Sequence, residues 1–145
     1  MKIRQLLHTL DKSTSAEFPN NFDYASLNRQ VRAIRDDLER VLGRKLDLED
    51  GSAIQDASFH ADLVLESHIE SPTIIFRHSL RFSNFGHLVA LTSPESVSPG
   101  DLELVLRVVA THGFIFVPTD ELDRPYDGAA GWNVPTWWIR YFDYL

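Results

Sequence analysis

Residues 58–83, SFHADLVLESHIESPTIIFRHSLRFS, carry the alternation of apolar and polar side chains that is typical of half-buried β-strands. The first alternating run ends at Glu66, and a second run extends from Ile74 to Ser83. Side chains two residues apart share one face of a strand. The two runs therefore predict two strands of an antiparallel sheet. The apolar face of the first strand is predicted to contain Phe59, Ala61, Leu63 and Leu65.

Amphipathic helices are predicted on either side of these strands. Residues 24–42 place apolar side chains on one helical face, with Asp23 as the N-cap and Gly43 as the stop signal. Ser98 caps a second such helix, which begins with a proline at its first helical position. A shorter helix is predicted over residues 3–10 because its leucines recur at helical spacing.

The order of these elements predicts one α+β domain that spans residues 1–145. Further strands are expected near residues 87–91 and 114–117. We expect a mostly antiparallel sheet of five or six strands, with two or three helices packed on one face. The apolar fraction of 43% is ordinary for a globular domain. The chain contains no cysteine, which excludes disulfides and cysteine-based zinc sites.

The C-terminal part of the chain is rich in aromatic residues. Nine of the sixteen aromatic side chains, with all three tryptophans among them, fall between Phe114 and Tyr144. We expect this tail to dock onto the body of the protein as a last strand over residues 136–144. One side of that strand would carry Trp138, Arg140, Phe142 and Tyr144. If that side is exposed it forms a partner-binding site, and otherwise a helix or a second copy covers it.

Negative charge is concentrated in the middle of the sequence. The formal net charge is −7, and residues 46–76 contain seven acids but neither lysine nor arginine. Such a field attracts basic partners and repels polyanions, so nucleic acid is not expected as a ligand. No apolar run approaches the ~20 residues that span a bilayer, so no membrane partner is expected. Without a recognisable export signal, the expected location is the cytoplasm.

The polar positions of the first strand supply the candidate docking residues. Asp56, His60, Asp62 and Glu66 have the same parity, so they are predicted to line the sheet face opposite Leu63. Such a row would dock a positively charged protein surface and speed its capture. Two alternatives remain open: a solvated face without a partner, and a metal site that includes His60 and Asp62. A metal site needs three or four convergent ligands, so no metal is assigned.

The sequence lacks the motifs that carry most known catalytic chemistry. It has no phosphate loop, no Gly-x-Ser-x-Gly elbow and no His-Glu-x-x-His pair. No catalytic residue and no cofactor is therefore assigned. The composition favours a non-enzymatic module that docks or neutralises a basic partner protein, of the immunity-protein or antitoxin kind. After electrostatic capture, such a module would bury aromatic anchors, here Trp132, Trp138 or Tyr144.

Two other functions fit the same residues. A small hydrolase or lyase would combine His60 and His78 with the acids of the loop 120–127, provided that these groups converge around a pocket. A structural subunit would instead form a homodimer through the aromatic C-terminal strand. The distance between His78 and a carboxylate distinguishes the first alternative, and the molecular mass in solution distinguishes the second.

Overall fold

The computed structural model describes residues 2–12, 15–50 and 57–143. The helices are α1 (Ile3–Leu10), α2 (Tyr24–Leu42), α3 (Pro99–Thr111) and α4 (Thr119–Leu122). The strands are β1 (Asp47–Asp50), β2 (Phe59–Ser71), β3 (Ile74–Ser83), β4 (Leu88–Leu91) and β5 (Ile115–Phe116). A 3-10 turn (Pro94–Ser96) follows β4, and a π-helical segment (Ile139–Asp143) lies near the C-terminus.

The described strands form one sheet in the order β1-β2-β3-β4-β5. The pairs β1–β2, β2–β3 and β3–β4 are antiparallel, whereas β5 runs parallel to β4. This parallel pair is possible because α3 crosses over between the two strands. The predicted α+β class and the mostly antiparallel sheet of five strands are confirmed.

Both long helices begin where their sequences predict, and α2 also ends where predicted. Asp23 caps α2 by accepting a hydrogen bond from the backbone N–H of Ser26 at 3.0 Å. Gly43 ends the same helix with a positive φ of 72°, a conformation that glycine adopts without a steric penalty. Ser98 caps α3 by accepting a hydrogen bond from the N–H of Asp101 at 3.2 Å.

The sheet is covered on both of its faces. We call the face that packs against α2 and α3 the helix face, and the opposite one the tail face. The helix face forms the larger core, which includes Val31, Ile34, Leu38, Leu63, Leu80, Phe82 and Val89. On the tail face, α1 and the C-terminal residues form a second core, which includes Leu7, Leu88, Trp137, Tyr141 and Phe142. Two helices thus pack on one face, as predicted, and α1 adds a layer on the other.

The C-terminal tail docks onto the sheet as expected, but it is helical and the predicted strand over 136–144 is wrong. Trp137 stacks on Tyr141 with ring centroids 5.7 Å apart, and Trp138 stacks on Phe142 at 5.2 Å. Residues four apart would lie about 13 Å apart along a strand, so only a helix allows both contacts. The first helical turn is capped by Thr136, whose hydroxyl accepts a hydrogen bond from the N–H of Ile139.

β2 contains three irregularities within its described pairing with β3. Register shifts occur next to His60, Leu65 and Glu70, and at each one β2 has an extra residue opposite β3. A bulge of this kind reverses the alternation of faces beyond it. The predicted common face of His60 and Asp62 is therefore wrong, since His60 lies against α2 and Asp62 pairs with Arg81 on the tail face.

Candidate protein-binding surface

The most exposed part of the described structure is the far end of the β2–β3 hairpin. β1 pairs with β2 only as far as Val64, and β4 pairs with β3 only from Leu80 onward. Residues 66–78 therefore extend past the rest of the sheet as a two-stranded ribbon, which we call the arm. Within the described residues, no third strand pairs with it. An isolated two-stranded ribbon is only marginally stable in water.

The arm carries apolar side chains on both of its faces. Ile69 and Ile75 lie directly opposite each other and are 73% and 56% exposed. Ile74 and Phe76 point to the other face and are 48% and 42% exposed. The alternation along β3, in which Phe76 has the same parity as Leu80 and Phe82, predicts that Phe76 is in the core, and its exposure shows that this prediction is wrong. Strands that are apolar on both faces are normally buried on both faces, so the arm has the composition of a contact element.

A ladder of charged side chains lies on the tail face at the base of the arm. Glu49 of β1 is directly opposite Asp62 of β2, which brings two carboxylates together. Each is compensated by a guanidinium from β3: Arg81 donates two hydrogen bonds to Asp62, at 2.7 and 2.8 Å, and Arg77 pairs with Glu49. Asp47, which lies one pleat further along β1, is exposed and adds a negative charge to this ladder.

Arg81 also joins the charge ladder to the C-terminal tail. Its guanidinium lies 4.1 Å from the centroid of the Phe59 ring and 5.7 Å from that of Trp138. It donates a further hydrogen bond, at 3.1 Å, to the backbone carbonyl of Phe142. Trp138 is therefore half-buried at the border of the ladder.

The candidate docking residues are divided among three environments. Glu66 is exposed at the start of the arm, and Asp62 is half-buried in its pair with Arg81. Trp138 and Trp132 are half-buried. Two further candidates, His60 and Arg140, are buried, and Asp56 and Tyr144 lie outside the described residues.

The assignment of Arg140 to a partner-binding face is wrong in this structure, because the side chain is fully buried. Its guanidinium pairs with the equally buried carboxylate of Asp11 at 2.8 Å and lies 4.6 Å from the ring of Phe85. The same carboxylate accepts a hydrogen bond from the hydroxyl of Tyr126 at 2.6 Å. Burial and this bond raise the pKa of Tyr126, which keeps the hydroxyl a donor. Arg140 thus fastens the tail to the end of α1.

Trp132 lies beside this buried pair and not on the charge ladder. The guanidinium of Arg140 is 5.4 Å from its ring centroid, and its backbone N–H donates to the hydroxyl of Tyr126. The structure therefore does not bring together the predicted aromatic anchors: Trp138 borders the ladder, and Trp132 belongs to the region around Asp11.

His60 is buried without a hydrogen-bond partner for either ring nitrogen among the described residues. Its ring meets that of Tyr24 edge-on, with centroids 4.7 Å apart. Burial lowers the pKa of His60 because it disfavours the imidazolium; the nearby Asp50 opposes this effect and Arg32 reinforces it. His60 is thus expected to be neutral at pH 7 and to stabilise the helix face as an apolar ring.

The lowered pKa of His60 predicts that acid weakens the fold. Above the unfolded-state pKa of about 6.5 both states are neutral at this site, and below it the unfolded chain takes up the proton first. We expect the free energy of unfolding to fall from about pH 6.5 downward until the folded-state pKa is passed. Urea unfolding of the protein and of His60→Leu at about pH 7.5 and about pH 5.5 measures this. The loss on acidification should be smaller in the variant, and an equal loss would contradict the assignment.

Two of the groups that an enzyme would require, the acids of the loop 120–127 and His60, are bound by different elements, and the third, His78, lies opposite Glu66 in the hairpin. In the loop 120–127, Glu121 pairs with Arg4 and Asp127 with His8, so these acids face α1. His60 faces α2, as described above. Among the described residues, no group of three or more histidine, aspartate or glutamate side chains could hold a metal ion.

The arm was not predicted from the sequence, although a signal for it was present. Ile74, Ile75 and Phe76 are consecutive apolar residues, so they occupy both faces of a strand. That pattern differs from the one-face alternation found closer to the turn at residues 83–86. Three acids in the four residues of β1 were a second signal, because an edge strand is commonly protected by charge.

None of the helices in the described part of the chain has the length and apolarity that crossing a bilayer requires. The chain matches no protein-family model, and comparison with curated proteins and with solved structures finds none that is similar to it. The function is therefore inferred from the arm, the charge ladder and their surroundings.

Proposed function

We propose that this protein is a non-enzymatic binding module that docks a basic partner protein through the arm and the neighbouring acids. The single observation that supports this most is the position of four exposed apolar side chains beside the exposed carboxylates of Asp47 and Glu66. These apolar side chains are Ile69, Ile74, Ile75 and Phe76. A surface with both features can attract a basic protein over a distance and then hold it by apolar burial.

The charges support the choice of a basic partner. On the tail face and at the base of the arm, the carboxylates outnumber the guanidiniums, and both Asp47 and Glu66 are exposed. A partner rich in lysine and arginine would compensate these acids, whereas a second copy of this chain would bring like charges together. The net charge of −7 extends the attraction to the whole molecule.

Neutralisation of a basic toxin, as by an immunity protein or an antitoxin, is one form that such a module takes. Burial of the arm in the partner would both stabilise the arm and cover the partner's surface. A cytoplasmic location belongs to the same proposal, and fractionation of source cells would test it.

A matched pair of charge variants tests the proposal. The double variant Asp47→Lys/Glu66→Lys, called the arm variant, changes exposed acids of β1 and of the arm. The control, Asp120→Lys/Asp123→Lys, makes the same change in net charge at α4 and the residue that follows it. Each protein is used to capture partners from a lysate of source cells, and the captured basic protein is then purified for kinetic measurements. We expect the arm variant to lower the association rate about tenfold at low salt, with the control near the unmodified rate.

Salt dependence gives a second readout of the same measurement. The association rate of the unmodified protein should fall steeply with ionic strength, and that of the arm variant should depend on it much less. If both double variants slow association equally, net charge alone attracts the partner and the proposed surface is wrong. If neither does, a basic partner is not captured by this face.

A further inference from the structure

Among the residues that the structure describes, no strand pairs with the outer edge of β3 within the arm, so this edge offers a row of backbone groups. β4 ends beside Ser79, where the N–H of Thr92 donates to the carbonyl of Ser79 at 2.9 Å. The chain then turns away through the 3-10 turn Pro94–Ser96. Residues at alternate positions of a strand direct their N–H and C=O groups to the same side. The backbone groups of Ile75 and Arg77 therefore point to the side on which β4 lies, beyond the place where β4 ends.

β3 is the regular strand of the arm, and β2 is the irregular one. The register shifts of the described hairpin all place the extra residue in β2, so the alternation along β3 is unbroken. On the outer edge of β2, the guanidinium of Arg44 donates to the carbonyl of Leu65 at 3.2 Å. Bulges and a side-chain donor at this edge hinder pairing with a further strand. The open edge of β3 has neither feature.

The other edges of the sheet carry recognised forms of protection. β1 has an acid at three of its four positions, and β5 is two residues long. Along the open part of β3, by contrast, Ile75 is exposed and the one charged side chain, Arg77, is held by Glu49. An unprotected, partly apolar edge is a template for an added strand.

On these grounds, and resting on the proposed function, we infer that the basic partner contributes an extended segment that pairs with β3 along residues 74–78. This segment would continue the line of β4 and make the arm three-stranded. Its side chains on the tail face would lie beside Ile75 and Ile69, which calls for apolar residues. Those on the other face would lie beside Ile74 and Phe76, with Glu66 one strand further away on β2. This calls for lysine or arginine, whose aliphatic stem packs on the apolar side chains while the charged end reaches toward the carboxylate.

A synthetic peptide with this alternation tests the inference. The probe is a capped peptide of about eight residues in which valine and lysine alternate, and binding is followed by amide NMR shifts of the labelled full chain. Two matched control peptides are N-methylated, one at every valine and the other at every lysine. In a paired strand, either the valines or the lysines direct their N–H groups toward β3, and the other residues direct theirs away. We therefore expect the control that is methylated on the N–H groups facing β3 to bind at least about tenfold more weakly than the unmethylated peptide, and the other control to bind as the unmethylated peptide does.

A protein variant tests the same edge from the other side. Ile75→Pro removes an N–H that points away from β2, so it should leave the hairpin pairing in place. Ile75→Thr is the matched control, because it keeps the N–H and a β-branched side chain. We expect the proline variant to lose at least about tenfold in peptide affinity and the threonine variant to lose much less.

Three other results would contradict the inference, and each identifies which part of it is wrong. If both N-methylated peptides bind as well as the unmethylated peptide, or if the unmethylated peptide does not bind, strand addition is wrong, while the charge-variant test of the proposed function is unaffected. If a glutamate–valine peptide binds as tightly as the lysine–valine peptide, the basic chemistry of the partner is wrong for both proposals. If light scattering finds a dimer that Ile75→Pro dissociates, a second copy occupies this edge instead.

Discussion

Replacing Asp11 by alanine is expected to lower the free energy of unfolding by about 3–5 kcal/mol. The reason is that Arg140 is fully buried and would keep its charge without its carboxylate partner, 2.8 Å away in the unmodified protein. The hydroxyl of Tyr126 and the N–H of Ala130 also donate to this carboxylate, and both would lose their acceptor. A loss of this size is a large part of the roughly 5–15 kcal/mol that stabilises a typical domain.

Urea unfolding monitored by tryptophan fluorescence measures this change. Arg4→Ala serves as the control, since it removes an exposed ion pair with Glu121 and should cost less than about 1 kcal/mol. The double variant Asp11→Leu/Arg140→Met replaces the buried pair by apolar side chains and should recover much of the loss. If Asp11→Ala is as mild as the control, the buried pair does not fasten the tail.

Replacing Trp137 by alanine is expected to destabilise the protein by about 3–5 kcal/mol. Trp137 is fully buried, stacks on Tyr141, meets the rings of His8 and Tyr126 edge-on, and donates its indole N–H to Asp127. Its removal would leave a cavity between α1 and the C-terminal tail that these side chains cannot fill.

The adjacent Trp138 provides the control for this substitution. It is half-buried, so Trp138→Ala should cost about 1–2 kcal/mol, clearly less than the loss at Trp137. Thermal unfolding followed by circular dichroism compares the two variants under the same conditions. Equal losses would mean that the two tryptophans are equally packed, as they would be in a two-sided strand, and would contradict the helical tail.

The helices and most of the strands could be predicted because their signals are local. The caps at Asp23 and Ser98 depend on side chains within three residues of the helix start. The turn that leads into β4 contains Gly86, which has a positive φ of 58°. Because such contacts form within a few residues, the sequence alone contains the information they require.

The tail was predicted wrongly because aromatic residues favour strands when no other local signal indicates the secondary structure. The sequence also contained the helical spacing of Trp137 with Tyr141 and of Trp138 with Phe142, which the structure shows to be decisive. The helix is favoured by contacts that are distant in sequence, such as the hydrogen bond from the hydroxyl of Tyr141 to the carbonyl of Leu7. No local pattern reports a contact of that kind.

The candidate surface was predicted in part, and the bulges of β2 explain the remainder. The acidic segment was visible in the charge pattern, and Glu66 is exposed, but the extra residue at Leu65 puts it on the face opposite Asp62, so the predicted common face of these two acids is wrong. Parity could not assign His60, because an extra residue in β2 turns it toward α2. Arg140 was assigned to a binding face because it has the same strand parity as Trp138 and Phe142 and because arginine is common in interface hot spots. Its actual partner, Asp11, lies at the other end of the chain.

Amide hydrogen exchange of the free protein and of its complex with the purified basic partner tests the central claim most directly. We predict rapid exchange in residues 66–78 of the free protein and strong protection of Ile75 and Arg77 in the complex, with the tail around Trp137 unchanged. Protection confined to α2 or to the loop 120–127, with exchange in the arm unaltered, would contradict the account.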